Sequence, residues 1–116
     1  MSEGMWFGLV FVFFIILKSV MSRRSPEEKQ AMKDAIANGG LIVDVRSPAE
    51  YRGGHIEGSK NIPVGQLGGR LKELGSKDRA IVVCCASGAR SRAAQGQLRA
   101  AGFTNVHDLG PWIDWR

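Results

Sequence analysis

The chain has 116 residues, enough for one domain and little more, and 44 % of them are hydrophobic. Its formal net charge is +5, but Arg23 and Arg24 form the only adjacent basic pair, which argues against a nucleic-acid partner. The two cysteines, Cys84 and Cys85, are neighbours, and disulfide geometry fits poorly across one peptide bond. The sequence therefore excludes a disulfide framework and favours a reducing compartment.

The N-terminal segment is the most apolar part of the chain, since residues 5–17 carry no charge. Extending the run by residues 18–21 makes it long enough to predict a transmembrane helix. The Lys18 ammonium would reach one membrane interface, and Trp6 would lie at the other. A cleaved signal peptide fits less well, because no basic residue precedes the run and no A-x-A-like site follows it. A helix buried in an oligomer is a third interpretation. We expect a membrane anchor over residues 1–21, a short linker over 22–26 and a folded domain over 27–116.

The charges that flank the apolar run predict its orientation. Lys18, Arg23 and Arg24 follow the run, whereas Glu3 precedes it. Because basic residues stay on the cytoplasmic side, we expect a single-pass membrane protein with its N-terminus outside and its domain in the cytoplasm. The lipid bilayer is therefore a predicted partner of the chain.

The rest of the chain alternates between helix and strand signals. Ser25 as N-cap, Pro26 at the first helical position and Glu28 in a capping box predict a helix that ends near residue 37. The β-branched runs at 41–45 and 80–84 predict buried strands. A third strand is expected at 103–106, and further helices are expected after Ser47 and over 67–74, 91–101 and 112–115. This alternation predicts an α/β fold with a parallel sheet covered by helices on both faces.

The segment after the strand at 80–84 is the best candidate for a catalytic loop. It contains the small residues Ala86, Ser87, Gly88 and Ala89, then Arg90, and a helix is expected to begin near Ser91. Small side chains let backbone N–H groups turn inward, and such a nest at a helix N-terminus binds anions and lowers the pKa of a cysteine.

Cys85 opens this loop, so we interpret it as the nucleophile, assisted by the cationic Arg90. Cys84 continues the strand, so we interpret it as a buried small hydrophobic residue. The residues alone leave two chemistries open. The thiolate could attack the outer sulfur of a sulfane donor, or it could attack phosphate or arsenate.

The sequence resembles the rhodanese family in three stretches whose order and spacing are specific only in combination. They comprise residues 44–46, 50–51, 54–58 and 61–63, then 85–91, and finally 109–110 with Trp115. The likeness spans about residues 27–116. It implies a rhodanese-like doubly wound parallel sheet flanked by helices, which here follows the N-terminal transmembrane helix. Pro111 departs from the family pattern, in which a second glycine usually follows Gly110.

The resemblance also implies a reaction and a set of site residues. A sulfane sulfur would pass from thiosulfate or a persulfide donor, through a persulfide on Cys85, to a thiophilic acceptor such as cyanide or a thiol. No cofactor is needed. The family pattern implies that the backbone N–H groups of 86–91 surround the persulfide and that Arg90 binds thiosulfate. These substrate-binding residues are Ala86, Ser87, Gly88, Ala89, Arg90 and Ser91.

Several polar residues outside the loop receive structural interpretations. Asp44 is expected to be a buried, hydrogen-bonded carboxylate and, with Arg46, a supporting residue of the site. Arg46 and Glu50 are expected to pair with each other, and His55 is expected to be a structural hydrogen-bonding residue. No His, Cys or acidic residues occur at metal-ligand spacing, so no metal site is predicted.

Two alternative functions remain open from the sequence. Cell-cycle-type phosphatases and arsenate reductases place five residues between cysteine and arginine, which is the spacing from Cys84 to Arg90 but one more than from Cys85. The tighter loop after Cys85 suits a persulfide better than a phosphate. The other alternative is a non-catalytic docking module held at the membrane, although such a module needs neither the cysteine nor the arginine.

Overall fold

The computed structural model describes residues 24–116. The predicted anchor over residues 1–21 therefore lies outside the described residues, as do the first two residues of the predicted linker. Within residues 24–116, no helix is both long enough and apolar enough to cross a bilayer. The proposed limits of anchor, linker and domain stay predictions.

The first half of the described chain forms the predicted helix–strand–helix unit. Helix α1 covers Pro26–Ala37, and the Ser25 hydroxyl caps it by accepting a 3.1 Å hydrogen bond from the Glu28 amide. Strand β1 covers Leu41–Asp44, and helix α2 covers Pro48–Arg52. A reciprocal capping box between Ser47 and Glu50 starts α2, because each side chain bonds the other's backbone N–H.

The sheet has four parallel strands in the order β2-β1-β3-β4. Strand β2 covers Lys60–Asn61, β3 covers Ile81–Cys85 and β4 covers Val106–Pro111, while helix α3 covers Ala89–Ala100 between β3 and β4. The prediction of an α/β fold with a parallel sheet flanked by helices is confirmed. This strand order makes β1 and β3 neighbours, so their carboxyl ends lie together at one edge of the sheet.

Three predicted elements differ from the structure. The helix expected over 67–74 is present only as two 3-10 helices, over Val64–Gly69 and Leu71–Leu74, because three glycines in the first of them disfavour an α-helix. The strand expected at 103–106 is β4, and it begins only at Val106. The preceding residues end α3, because the Phe103 backbone N–H donates to the Leu98 carbonyl oxygen. Helix α3 begins at Ala89 instead of Ser91. The last helix, expected over 112–115, is present as a short 3-10 helix over Trp112–Trp115.

Side chains of β3 divide between two hydrophobic clusters because successive residues of a strand point to opposite faces. Ile81, Val83 and Cys85 belong to the larger cluster, whereas Val82 and Cys84 belong to the smaller one. The larger cluster lies among side chains of β1, α3 and the 3-10 helices. The smaller one contains the remaining buried residues Met32, Ile42, Ile56 and Leu109.

Candidate active site

Cys85 is the last residue of β3 and has no exposed surface. The prediction that it opens the loop is therefore wrong by one residue, because the strand pairing continues through Cys85 opposite Pro111 of β4. The loop proper comprises residues 86–88. Its first two residues, Ala86 and Ser87, are exposed, while the cysteine lies beneath them.

Gly88 connects the loop to the sulfur of Cys85. Its backbone N–H donates to the Sγ of Cys85 at 3.0 Å, and it is also the N-cap of α3. The buried Ser91 hydroxyl donates to the Gly88 carbonyl at 3.1 Å, and so does the Arg92 amide at 3.1 Å. Among the six residues 86–91 that were expected to surround the sulfur, Gly88 supplies the amide hydrogen bond found at Sγ.

Gly88 holds this position with φ at +111°, a conformation that residues with a side chain rarely adopt. Replacing it by alanine is expected to destabilise the domain by about 1–3 kcal/mol, although no atom lies within 4 Å of the added Cβ. Urea unfolding measures the change. Gly96→Ala in the same helix is the matched control and is expected to stabilise by about 0.5–1 kcal/mol. Equal shifts in the two variants would contradict a strained backbone at Gly88.

The guanidinium of Arg90 is held by a carboxylate from another element. It donates to both oxygens of Glu50, at 2.7 and 2.9 Å, and both side chains are about one-third exposed. The expected pairing of Arg46 with Glu50 is therefore wrong, because the β1–β3 neighbourhood brings α2 beside the start of α3. Two of the five N–H donors of Arg90 face the carboxylate, which leaves three for an anion.

The pKa of Glu50 is lowered to about 2, first by the hydrogen bonds from Arg90 and then by those from the backbone and hydroxyl of Ser47. Because the pKa in the folded state is lowered, the pair is fully formed above the ordinary value of 4.5 and is lost only as pH falls through about 2. The pKa of Arg90 is raised, chiefly by the same hydrogen bonds. Neither group changes charge near neutral pH.

Asp44 and Arg46 form a buried ion pair behind the loop. Both oxygens of Asp44 accept bonds from the Arg46 guanidinium, at 2.7 to 3.0 Å, and Asp44 has no exposed surface. Arg46 also donates to the Gly54 carbonyl at 2.7 Å and stacks 4.6 Å above the Trp112 ring. The prediction that Asp44 is a buried, hydrogen-bonded carboxylate is confirmed, and Arg46 is its partner.

Cys84 lies on the opposite face of the sheet from Cys85. It has no exposed surface and packs against the smaller cluster, which raises the pKa of its thiol well above the ordinary value, mainly through burial and then through the charge of Asp44. The interpretation of Cys84 as a buried hydrophobic residue agrees with this environment. The two side chains lie on opposite faces of the sheet, and both cysteines are free.

A cleft of about 540 Å³ lies beside the loop and contains residues that the sequence did not indicate. Its walls include Ser87, Gly88 and Arg92 from the loop side, and Arg24, Lys29 and Asp108 from elsewhere. Asp108 pairs with Arg24 at 3.2 Å and accepts a 2.9 Å bond from the Gly110 amide. Across residues 24–116, no three His, Cys, Asp or Glu side chains come together as a metal site.

His55 and Asn61 have structural partners. The His55 Nδ1 lies 2.7 Å from the Tyr51 carbonyl oxygen, and its ring stacks on the ring of Tyr51 at 3.7 Å, as a structural residue would. The Asn61 amide donates to the backbone oxygens of Asp44 and Arg46 at 2.9 Å each. These contacts fix the segment that follows β1, and with it the position of α2.

Comparison with known proteins gives a consistent result. A model of the rhodanese-like domain matches residues 25–115. The uncharacterized protein YqhL of Bacillus subtilis (strain 168) is 40 % identical over 75 residues, which cover 64 % of this chain and 59 % of that protein. Thiosulfate sulfurtransferase GlpE of Ectopseudomonas mendocina (strain ymp) is 31 % identical over 84 % of this chain and 87 % of its own length. The Alr3790 protein from Anabaena sp. superposes with a TM-score of 0.66 at 32 % identity, covering 75 % of this chain and 81 % of that one.

Proposed function

The chain belongs to the family of rhodanese-like domains and carries the domain of a rhodanese-type sulfurtransferase, and we propose that Cys85 is the residue that carries the transferred sulfur. The observation that carries this proposal is the Gly88 amide, which donates to the Cys85 sulfur at the junction of β3 and α3. This N–H group at the start of a helix is aimed at the sulfur that would form the new S–S bond. Within residues 24–116 no backbone N–H donates to the Cys84 sulfur, which packs in the smaller cluster on the other face of the sheet.

The proposed reaction has two displacement steps. The Cys85 thiolate attacks the outer sulfur of thiosulfate, the S–S bond breaks, and sulfite leaves with the bonding pair. The resulting persulfide is then attacked at its terminal sulfur by cyanide or a thiolate, which regenerates the Cys85 thiolate. With cyanide the product is thiocyanate. A protein or low-molecular-weight persulfide can replace thiosulfate as donor, since it presents the same kind of outer sulfur.

The donor reaches Cys85 through the loop. Because the cysteine is covered while Ala86 and Ser87 are exposed, residues 86–88 must move apart for the sulfur to be attacked. The 540 Å³ cleft borders Ser87 and Gly88 and gives a small anion a route to that point. Arg90 supplies a cation at the end of the loop, and Glu50 fixes the plane of its guanidinium.

The direct test of the proposal is detection of the intermediate. Purified full-length chain treated with thiosulfate is expected to gain the mass of one sulfur atom, located on the peptide that contains Cys85. Cyanide is expected to remove the added mass and release thiocyanate. A chain that stays unmodified after thiosulfate treatment would favour a docking role for the domain over sulfur transfer.

Removing the Arg90 cation is expected to weaken binding of thiosulfate. Charge-assisted hydrogen bonds contribute about 1.5–3 kcal/mol, so Arg90→Ala should raise the KM for thiosulfate by about tenfold to a hundredfold. Arg99→Ala, an exposed arginine on the same helix, is the matched control and is expected to change KM by less than about twofold. Steady-state kinetics with thiosulfate and cyanide measure both. Similar KM values for the two variants would remove Arg90 from the binding site.

The phosphatase-like or arsenate-reductase-like alternative requires Cys84 as the nucleophile. Its sulfur lies on the face away from the Gly88 amide, and burial raises its pKa, so the thiolate is disfavoured at neutral pH. We therefore propose sulfur transfer as the single activity of this loop.

We further propose that the chain is a single-pass membrane protein whose domain lies on the cytoplasmic face. The support comes from the sequence, in which an uncharged run over residues 5–17 is followed by Lys18, Arg23 and Arg24. This topology would be supported if the domain resists protease in intact cells and is digested once the cells are permeabilised. Digestion of the domain in intact cells would contradict it.

A further inference from the structure

The last 3-10 helix presents apolar side chains at the surface. Ile113 is 55 % exposed, which makes it the most exposed large hydrophobic residue among those described. Together with Trp112 and Trp115 it lines a shallow groove of about 220 Å³. Tryptophan combines a large apolar ring with a polar N–H, which suits a boundary between water and an apolar phase.

Basic side chains border this groove. A second groove, of about 290 Å³, is lined by Arg24, Lys29, Lys33 and Arg116, and Arg116 also lines the first groove. The Lys33 ammonium of the second groove lies 5.8 Å from the centre of the Trp115 ring of the first, so the two grooves are neighbours. We call this surface the Trp–Lys face; it comprises Lys29, Lys33, Trp112, Ile113, Trp115 and Arg116.

The charged side chains that line the two grooves are all basic. The acidic residues nearby do not line these two grooves. Glu28 lies 4.0 Å from Arg24, Asp34 accepts a bond from Gln30 at 2.9 Å, and Asp114 lines the cleft beside the loop. The Trp–Lys face therefore combines the exposed Ile113 and two half-buried tryptophan rings with a local excess of positive charge.

The course of the chain indicates what this face meets. Six residues separate the uncharged run over residues 5–17 from Arg24, which lines the second groove. Six residues reach about 20 Å when fully extended. If the run is held in a bilayer, Arg24 in the second groove lies within about that distance of the run. Lysine, arginine and tryptophan are the residue types that favour an anionic membrane interface.

We propose that the Trp–Lys face rests on the anionic lipid headgroups of the bilayer that holds the N-terminal segment. The inference depends on the membrane anchoring proposed above and adds a fixed orientation of the domain to it. Ile113 and the half-buried Trp115 meet the interfacial region, while Lys33 and Arg116 face acidic headgroups. The cleft beside the loop shares Arg24 and Lys29 with the second groove, so docking places its mouth beside the membrane surface.

Tryptophan fluorescence in the full-length chain tests the proposal. The chain has three tryptophans, so a Trp6→Phe background leaves Trp112 and Trp115 as reporters. This chain is reconstituted into phosphatidylcholine vesicles with or without about 30 % phosphatidylglycerol, using lipids brominated near the headgroup. We expect quenching to be about twofold or more stronger in the anionic vesicles and to fall with added salt.

Charge-reversed variants supply the matched comparison. Lys33→Glu with Arg116→Glu is expected to lower quenching in anionic vesicles by about twofold or more, since each basic residue strengthens binding to an anionic surface about fivefold. Arg52→Glu with Lys72→Glu makes the same charge change at exposed residues outside the Trp–Lys face and is expected to leave quenching unchanged. Circular dichroism spectra establish that both variants fold.

The outcomes separate docking from anchoring. A chain that floats with vesicles, but whose quenching is the same in both lipid mixtures and in both charge-reversed variants, overturns docking and leaves anchoring intact. Coverage of the face by the N-terminal segment or by a second copy of the chain would give that result. A chain that does not float with either kind of vesicle overturns both proposals.

Discussion

Replacing Cys85 by serine is expected to lower thiocyanate formation from thiosulfate by about a thousandfold or more, because removal of a covalent nucleophile abolishes the only route to the intermediate. The serine hydroxyl keeps the size of the thiol and can still accept the bond from Gly88 N–H, but it does not form a persulfide. The fold should therefore be preserved while the activity is lost. Initial rates at saturating thiosulfate and cyanide give the measurement.

Cys84 provides the internal control for this prediction. Cys84→Ala removes a sulfur that packs in the smaller cluster, so it is expected to lower stability by about 1 kcal/mol and to change kcat by less than about threefold. Serine at this position is the poorer control, because an unpaired hydroxyl in an apolar site costs about 1–3 kcal/mol. An inactive Cys84→Ala beside an active Cys85→Ser would reverse the assignment and restore the phosphatase-like alternative.

Replacing Asp44 by alanine is expected to destabilise the domain by about 3–5 kcal/mol, the usual effect of breaking a buried ion pair on one side. The change leaves the Arg46 guanidinium, which is 5 % exposed, with the Gly54 carbonyl and the Trp112 ring as its remaining partners. A loss of this size is comparable to the whole stability of a small domain. Urea unfolding of the full chain in a mild detergent, followed by ellipticity, measures it.

Glu73→Ala tests whether the large loss of stability expected for Asp44→Ala comes from burial of the Asp44–Arg46 ion pair. Glu73 also accepts charged hydrogen bonds, from Arg70 at 2.6 Å and from Lys60 at 2.9 Å, but about one-third of its side chain is exposed. Solvent screens such a pair, so the expected loss is no more than about 1 kcal/mol. If the two variants lose equal stability, the Asp44–Arg46 pair does not contribute through its burial. Restoring stability by Asp44→Ala with Arg46→Met would support the buried-charge explanation.

Local sequence signals determined much of the fold. The serine, proline and glutamate around residues 25–28 and 47–50 fixed two helix starts, because their capping bonds close within three residues. The β-branched runs at 41–45 and 80–84 identified the two central strands to within one residue at each end. The resemblance of residues 85–91 to a known family indicated the catalytic loop and its chemistry before any contact was known.

Only the tertiary structure decided which charged groups meet. Arg90 lies 40 residues from its partner Glu50, and Arg46 pairs with Asp44, two residues earlier, instead of the expected Glu50. The order β2-β1-β3-β4 sets the Arg90–Glu50 contact by placing the ends of β1 and β3 side by side. Helix and strand signals act over a few residues, whereas the neighbours of a strand depend on packing of the whole sheet. The burial of Cys85 beneath its own loop has the same origin, since pairing with β4 continues to Pro111.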